Sequence, residues 1–179
     1  MSQIEIRYVR YGDWRCLRTL CANCFPFVAP GQLRTVLCYH KAGTRIALRD
    51  GEIVGFTVLD AFHERGVAWL YWIGVDGACR GQGIADRLID DVLANASRRG
   101  FSRVGATVDF DNLASIALFT KGERFRRVGN GKRIDFEANV TRRSLAGSPL
   151  PLHRTWSRRL GYRFHLLIWR VVVQLRFFQ

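Results

Sequence analysis

The feature that most constrains the fold is a glycine-bearing junction, RGQGIA at residues 80–85, between segments of two different periodicities. The apolar run VAWLYWIGV at residues 67–75 is typical of a buried strand, and its aromatic residues favour a central place in a sheet. From residue 84 to residue 96 the apolar residues recur at helical spacing, which predicts an amphipathic helix. A strand, a tight loop and a helix in succession predict a mixed α/β domain.

The rest of the periodicity predicts that this domain extends over residues 1–140. Asp50 and Gly51 separate two apolar runs, which is typical of a hairpin turn. A helix is expected from residue 84 to Gly100, the residue at which it stops. The other expected elements are a strand at 4–8, helices at 13–24 and 32–40, a strand at 102–110, a helix at 112–121, and strands near 125–128 and 132–140.

The two glycines of the junction have two explanations, which the residues alone leave open. The first amides of a helix carry the positive end of its dipole, and Gly81 and Gly83 would let a phosphate group approach them closely. A plain strand-to-helix turn explains the same residues. The junction is neither a Walker loop nor a dinucleotide fingerprint, because it lacks the Gly-Lys-Ser/Thr of the first and the third glycine of the second.

Two segments together resemble the motifs of the GNAT superfamily of acyl-CoA-dependent N-acyltransferases. VDGACRGQGIADRL is similar to the coenzyme A motif of that superfamily, and DNLASIALFTKGERF, about thirty residues later, is similar to its second motif. The order of the predicted elements agrees with the superfamily as well. The resemblance implies a GNAT-like α/β fold, with a mixed, mostly antiparallel central sheet that contains a splayed strand pair and is flanked by helices.

The resemblance also implies a site for acetyl-CoA or another acyl-CoA as co-substrate, with no metal. Backbone groups at Ile73 and Val75 are expected to bind the pantetheine and the thioester carbonyl, and Asn112 the pantetheine arm. Phe119 is expected at the cofactor, where the superfamily often has a tyrosine as general acid; a phenylalanine has no proton to donate. The residues expected to hold the pyrophosphate are Arg80, Gly81, Gln82, Gly83, Ile84 and Ala85.

Candidates for the base that takes the proton of the attacking amine are few. Asp109 ends the predicted fifth strand on the face opposite Val108, and we predict it as the catalytic residue, acting directly or through water. Asp111 starts the next helix and is explained by capping, an explanation that also remains open for Asp109. His63 and Glu64 belong to a polar hairpin tip.

Aromatic residues of the predicted fourth strand are candidates for the wall of an acceptor pocket. Tyr71 and Trp72 are consecutive, so strict alternation predicts that their side chains face opposite sides of the sheet.

The five cysteines do not form a convincing metal site. Cys21 and Cys24 have the spacing of a zinc pair, but Cys38 and His40 are too close together to complete it. The same two cysteines also fit helical spacing, and we interpret them as buried helix thiols. Reduced thiols and a polar N-terminus without the pattern of a signal peptide favour a cytoplasmic protein.

Residues 141–179 are predicted to form a basic and apolar C-terminal extension. The net charge of the chain is +13, and this segment contributes eight arginines and no acidic residue. Residues 156–178 project an apolar stripe with arginines beside it, typical of an amphipathic helix on an anionic membrane surface. The stripe would equally suit packing on the domain or a homodimer. Nucleic acid is the least favoured partner, because the domain itself shows no dispersed basic patch.

Two functions follow as hypotheses. The first is an N-acyltransferase, most simply an N-acetyltransferase, that moves an acyl group from acyl-CoA to a primary amine. Its acceptor would be a small molecule such as an amino sugar, or a lipid-linked amine at the inner face of a membrane, where the protein would be peripheral. The second is a non-catalytic sensor or scaffold that binds acyl-CoA and uses its basic tail to bind a membrane, a partner or nucleic acid.

Overall fold

The fold was analysed in a computed structural model, which describes residues 3–62, 66–130 and 133–140. The described residues form seven strands, four α-helices and short 3-10 turns. The strands are β1 Ile4–Tyr8, β2 Thr44–Arg49, β3 Glu52–Phe62, β4 Val67–Val75, β5 Arg103–Asp109, β6 Arg126–Asn130 and β7 Arg133–Asn139. The helices are α1 Trp14–Cys24, α2 Pro30–Tyr39, α3 Ile84–Arg98 and α4 Leu113–Thr120.

These elements confirm the sequence-based prediction for residues 1–140, with small shifts at the ends. Helix α2 begins two residues earlier than expected because Pro30 occupies its first turn, where a missing amide proton costs nothing. The predicted extension at residues 141–179 and the hairpin tip with His63 and Glu64 lie outside the described residues. Within the described residues, no helix combines the length and the apolar character needed to cross a membrane.

All seven strands belong to one sheet, in the order β1-β2-β3-β4-β5-β7-β6. Neighbouring strands are antiparallel except for the central pair, β4 and β5, which is parallel. This pair is in register only from Val67 with Arg103 to Trp69 with Gly105. Beyond Trp69 and Gly105, which we call the vertex, the two strands separate and leave a cleft between them. The predicted mostly antiparallel sheet with a splayed pair is therefore confirmed.

The helices cover the two faces of the sheet. Helices α3 and α4 pack on one face, called here the α3 face, where Val92 and Phe119 join the core residues of β4, β5 and β7. Helices α1 and α2 cover the opposite face, called here the α1–α2 face, and bury Leu17 and Leu37 completely. The cleft therefore opens toward both faces of a well-packed sheet.

An extra residue in β4 changes which side chains point to which face. Val58 pairs with Trp72 but Leu59 pairs with Leu70, so Tyr71 is inserted opposite no residue of β3. The ring of Trp72 stacks on Phe25, which follows α1, and the ring of Tyr71 stacks on His40 at the end of α2. Both side chains therefore lie on the α1–α2 face. The prediction that they face opposite sides is wrong, because a β-bulge interrupts the alternation.

Candidate functional site

The glycine loop leads from β4 into the N-terminus of α3. Gly81 and Gly83 adopt positive φ angles of 74° and 76°, a region that disfavours other residues. A Cβ atom at either glycine would meet no atom within 4 Å, so the space above the loop is open. The first intrahelical bond runs from the Arg87 amide to the Gly83 carbonyl, at 3.2 Å. The amides of residues 84–86 thus have no partner within the helix and can bind an anion.

Two arginines surround this loop, and only one was predicted. Arg80 is exposed, and its Nε donates to the Val75 carbonyl at 3.3 Å. Arg49, at the end of β2, donates from Nη1 to Oε1 of Gln82 at 2.6 Å and from Nη2 to Sγ of Cys79 at 2.9 Å. The sequence gives no signal for Arg49, which is 33 residues away from its amide partner. Both cations increase the positive potential at the loop.

The free edge of β4 presents backbone groups to the cleft. The Asp76 amide donates to the Val54 carbonyl at 2.9 Å, so Asp76 faces β3. Because main-chain groups alternate between the two edges of an antiparallel strand, those of Val75 and Ile73 face the cleft. The Val75 carbonyl already accepts from Arg80 and, at 3.7 Å, from Sγ of Cys24. These are the two β4 residues that the family resemblance predicts at the pantetheine, a role that stays a prediction.

The second motif lies on the β5 side of the cleft. Asn112 is the N-cap of α4, and its Oδ1 accepts from the Ser115 amide at 3.1 Å. Phe119 is 3% exposed, stacks on Phe136 at 5.3 Å between ring centroids and meets Phe125 edge-on at 4.9 Å. The structure thus gives both residues structural roles, capping and core packing. Their contacts with a cofactor stay predictions.

Asp109 lies on the α1–α2 face at the end of β5. Its Oδ1 is 2.7 Å from Nε of Arg133, the residue that faces it in register on β7. Both side chains are about one-third exposed, at 33% and 29%. Sequence reasoning missed Arg133, since only the strand register brings the two together. The role of Asp109 as base stays a prediction.

His40 and Asp60 form a pair on the same face, beside the vertex. The sequence did not single out His40 for catalysis. His40 is 6% exposed, and its Nδ1 is 3.4 Å from Oδ1 of Asp60 on β3. Its ring stacks on Tyr71 at a centroid distance of 5.1 Å. Burial, and to a lesser degree the Asp60 carboxylate, raise the pKa of Tyr71, so its phenol stays protonated. The sequence offered His40 only as a weak metal candidate, because nothing local links it to Asp60.

The helical thiols behave as core groups. Cys21 is buried, and burial together with the neighbouring Cys24 raises its pKa to about 12. Burial also raises the pKa of Cys24, which is partly buried. Among the described residues, no group of three or more His, Cys, Asp or Glu side chains is arranged to hold a metal ion.

The structural class of this domain is a mostly antiparallel sheet that opens at one parallel strand pair and has a glycine loop at the end of one arm. The family model described as Acetyltransferase (GNAT) family matches residues 14–122. The chain belongs to this family, as its two motifs suggested.

Comparisons with individual proteins agree with this assignment. L-2,4-diaminobutyric acid acetyltransferase of Streptomyces avermitilis is 33% identical over 107 residues, which are 58% of this chain and 60% of the relative. The match therefore spans only about three-fifths of that relative.

Solved structures show the same fold at low sequence identity. Ribosomal-protein-S18-alanine N-acetyltransferase from Escherichia coli has a TM-score of 0.66 and 17% identity, covering 84% of this chain and all of the other. The PaiA N-acetyltransferase of Thermoplasma acidophilum, in complex with coenzyme A, has a TM-score of 0.65 and 15% identity, covering 76% and 99%.

Proposed function

We propose that this protein is an N-acyltransferase, acting first of all as an N-acetyltransferase, that moves the acyl group of acyl-CoA to a primary amine. The observation that supports the proposal is that the free edge of β4 adjoins the glycine loop at the start of α3. The free edge of β4 at Ile73 and Val75 leads directly into the loop of Gly81 and Gly83 and the open amides of α3. An extended thioester with a pyrophosphate at its far end matches that arrangement.

In this proposal the cofactor binds mainly to main-chain groups. The amides of residues 81–85 hold the pyrophosphate, with the exposed Arg80 beside them. The pantetheine, which has amide groups of its own, adds to the edge of β4 like a further strand, using Ile73 and Val75. Asn112 faces it from the start of α4, where its side-chain amide nitrogen is a suitable donor.

The reaction then takes place where the cleft narrows. The thioester carbonyl lies near the bulge at Tyr71, beside the vertex where β4 and β5 meet. The amine nitrogen attacks the carbonyl carbon, the carbon–sulfur bond breaks, and coenzyme A leaves as a thiolate. A thiolate is a good leaving group, so the reaction does not require the tyrosine that Phe119 replaces. Asp109 on the opposite wall is the base that the sequence predicts.

The acceptor is proposed by chemical class. The relative from Streptomyces avermitilis is named for diaminobutyric acid, a small molecule with two amines, and this amine is the first to test. An amino sugar or a lipid-linked amine fits the basic segment at 141–179, which we propose places the enzyme at the cytoplasmic face of an anionic membrane.

The first prediction concerns the pyrophosphate loop. Acetyl-CoA at a hundred times its dissociation constant should stabilise the wild type by about 2.7 kcal/mol, which raises Tm by roughly 5–10 °C. Gly83→Glu and Arg80→Glu should lose this stabilisation, because each adds a carboxylate at the phosphates. A thermal-shift titration with coenzyme A, acetyl-CoA and a long-chain acyl-CoA measures it.

The control for that titration is Gly31→Glu, which adds the same charge on α2, where a Cβ meets nothing within 4 Å. This variant should respond like the wild type. Arg80→Glu guards against misfolding of Gly83→Glu, since it changes an exposed side chain without backbone strain. A wild type that none of the three ligands stabilises would show that the loop is a plain turn.

A further inference from the structure

The α1–α2 face of the vertex carries a cluster of ionisable side chains that the cofactor does not need. Trp69 covers this face of the vertex, with its ring 3.0 Å from the position of a Cβ on Gly105. Tyr71 is two residues farther along β4, at the point where the cleft begins. The ring of His40 stacks on Tyr71, so the imidazole lies one side chain away from the place proposed for the thioester.

The imidazole of His40 is fixed in position by its surroundings. Its amide closes α2 on the Val36 carbonyl at 2.9 Å, and its carbonyl accepts from Oγ1 of Thr44 at 2.9 Å. The ring is held between Tyr39, edge-on at 4.9 Å, and Tyr71, stacked at 5.1 Å. Nδ1 lies 3.4 Å from Oδ1 of Asp60, so this carboxylate is placed to orient the ring.

The charge beside His40 comes from Asp60. The groups that face the imidazole are Asp60 on β3, Tyr71 on β4 and Tyr39 at the end of α2. Burial and the Asp60 carboxylate raise the pKa of both tyrosines, so neither is charged near neutral pH.

We propose that His40 is the catalytic base of the acyl transfer, with Asp60 as its positioning residue; this inference rests on the proposed function. As the amine nitrogen bonds to the thioester carbon, the imidazole of His40 takes one proton from that nitrogen, directly or through a water molecule. The carbon–sulfur bond breaks with its electron pair on sulfur, and the imidazolium then gives its proton to the thiolate or to water. Atoms and charges balance without a metal or an oxidant.

This assignment competes with the base predicted from the sequence. Oδ1 of Asp109 lies 2.7 Å from Nε of Arg133, so this carboxylate already has a charged partner. His40 has a carboxylate beside it instead, that of Asp60. The two candidates lie on different strands and elements, so separate variants can distinguish them.

The test uses the full-length chain, acetyl-CoA and a panel of primary amines that begins with L-2,4-diaminobutyrate. His40→Gln should lower kcat by about a hundredfold or more, a typical contribution of general-base catalysis. The KM for acetyl-CoA should not change. In the wild type kcat at saturating amine should fall as the pH is lowered from about 8 to 5, and His40→Gln should lose this dependence.

Three further variants complete the design. Asp60→Asn should lower kcat about tenfold, a partial loss because the base itself remains, and it should add nothing to His40→Gln because it acts through the same group. Cys38→Ser changes an exposed thiol of α2 two residues from His40 and should behave like the wild type. Asp109→Asn should keep the pH dependence that His40→Gln loses.

The outcomes separate the inference from the function on which it rests. Full activity and an unchanged pH profile in His40→Gln would overturn the inference while leaving the acyltransferase intact. Loss of the pH dependence in Asp109→Asn in place of His40→Gln would do the same. A wild type that binds acetyl-CoA but releases no thiol, with any amine or by hydrolysis, would reject the proposed function and the inference together. Acetyl-CoA thermal shifts show that each variant is folded.

Discussion

At the scale of single residues, Phe119 shows how the core and the chemistry compete for one position. Its ring is buried between Phe125 and Phe136, in the core that joins α4 to β5 and β7. Phe119→Tyr, which restores the residue common in the family, should lower the free energy of unfolding by about 1–2 kcal/mol, because a hydroxyl in this core loses its hydration. It should not raise kcat.

Denaturant unfolding and steady-state kinetics check this prediction. The matched control is Tyr11→Phe, which changes the same hydroxyl at a residue that is 88% exposed and should have almost no effect on stability. An increase in kcat without loss of stability would show instead that position 119 reaches the cofactor, as the resemblance implied.

The bulge at Tyr71 marks what the sequence could not predict at this scale. Alternation placed Tyr71 and Trp72 on opposite faces, and one unpaired residue brought both to the α1–α2 face. A bulge depends on the pairing of β4 with β3, and no residue type in either strand indicates it. The tight loop at Gly81 and Gly83 could be predicted, by contrast, because backbone with a positive φ angle strongly favours glycine.

At the scale of elements, the start of α1 is fastened to β1 by an ion pair. Nη1 and Nη2 of Arg7 donate to the two oxygens of Asp13 at 2.7 and 2.9 Å, and both side chains are largely buried. This hydrogen bonding, chiefly with Arg7, lowers the pKa of Asp13 in the folded state. A carboxyl whose pKa is lower in the folded than in the unfolded state stabilises the fold at pH values above the unfolded pKa. This stabilisation is lost as the pH falls through the folded pKa.

Asp13→Asn should therefore cost about 1.5–3 kcal/mol of unfolding free energy at pH 7, the range for hydrogen bonds to charged groups. The loss should shrink as the pH is lowered below about 4, where the unfolded chain protonates. Urea unfolding at several pH values measures it. Glu52→Gln, an exposed carboxylate of the hairpin, is the control. A loss that does not depend on pH would contradict the ion pair as its cause.

The existence of the elements could be predicted better than the contacts between them. Helices and strands follow from local periodicity and from turn residues such as Gly51 and Gly100, which act over a few positions. The pairing of His40 with Asp60 and of Arg49 with Gln82 joins elements that are distant in the chain. Local physics contains no information about such contacts, so the glycine loop was predictable and the contact of His40 with Asp60 was not.

At the scale of the whole molecule, the sheet consists of two halves that share one short parallel contact. Strands β1–β4 form one half and β5, β7 and β6 the other, and they pair only from Val67 with Arg103 to Trp69 with Gly105. The edges beyond the vertex lack their sheet partners, and a ligand with amide groups can replace them. In the proposed function the same geometry would separate the two substrates, with the cofactor along β4 and the amine at the α1–α2 face.

The distribution of charge leads to a prediction about where the molecule is in the cell. The net charge is +13, and residues 141–179 contribute eight arginines without an acidic residue. If this segment binds an anionic membrane, reversing Arg158, Arg159 and Arg163 to Glu should abolish co-sedimentation with vesicles that contain phosphatidylserine. Each basic residue near such a surface contributes about 1 kcal/mol, so the loss should exceed a hundredfold in affinity.

The matched control reverses Arg15, Arg18 and Arg34, three exposed arginines of α1 and α2, and changes the net charge by the same amount. It should retain most of the binding, since a local cluster beside apolar residues has an effect that dispersed charges do not. Equal losses in the two variants would show that net charge alone attracts the protein. If the variant with Arg158, Arg159 and Arg163 reversed still bound the vesicles, residues 158–163 would be excluded as the anchor. Acyl transfer would then be expected to use a freely diffusing amine.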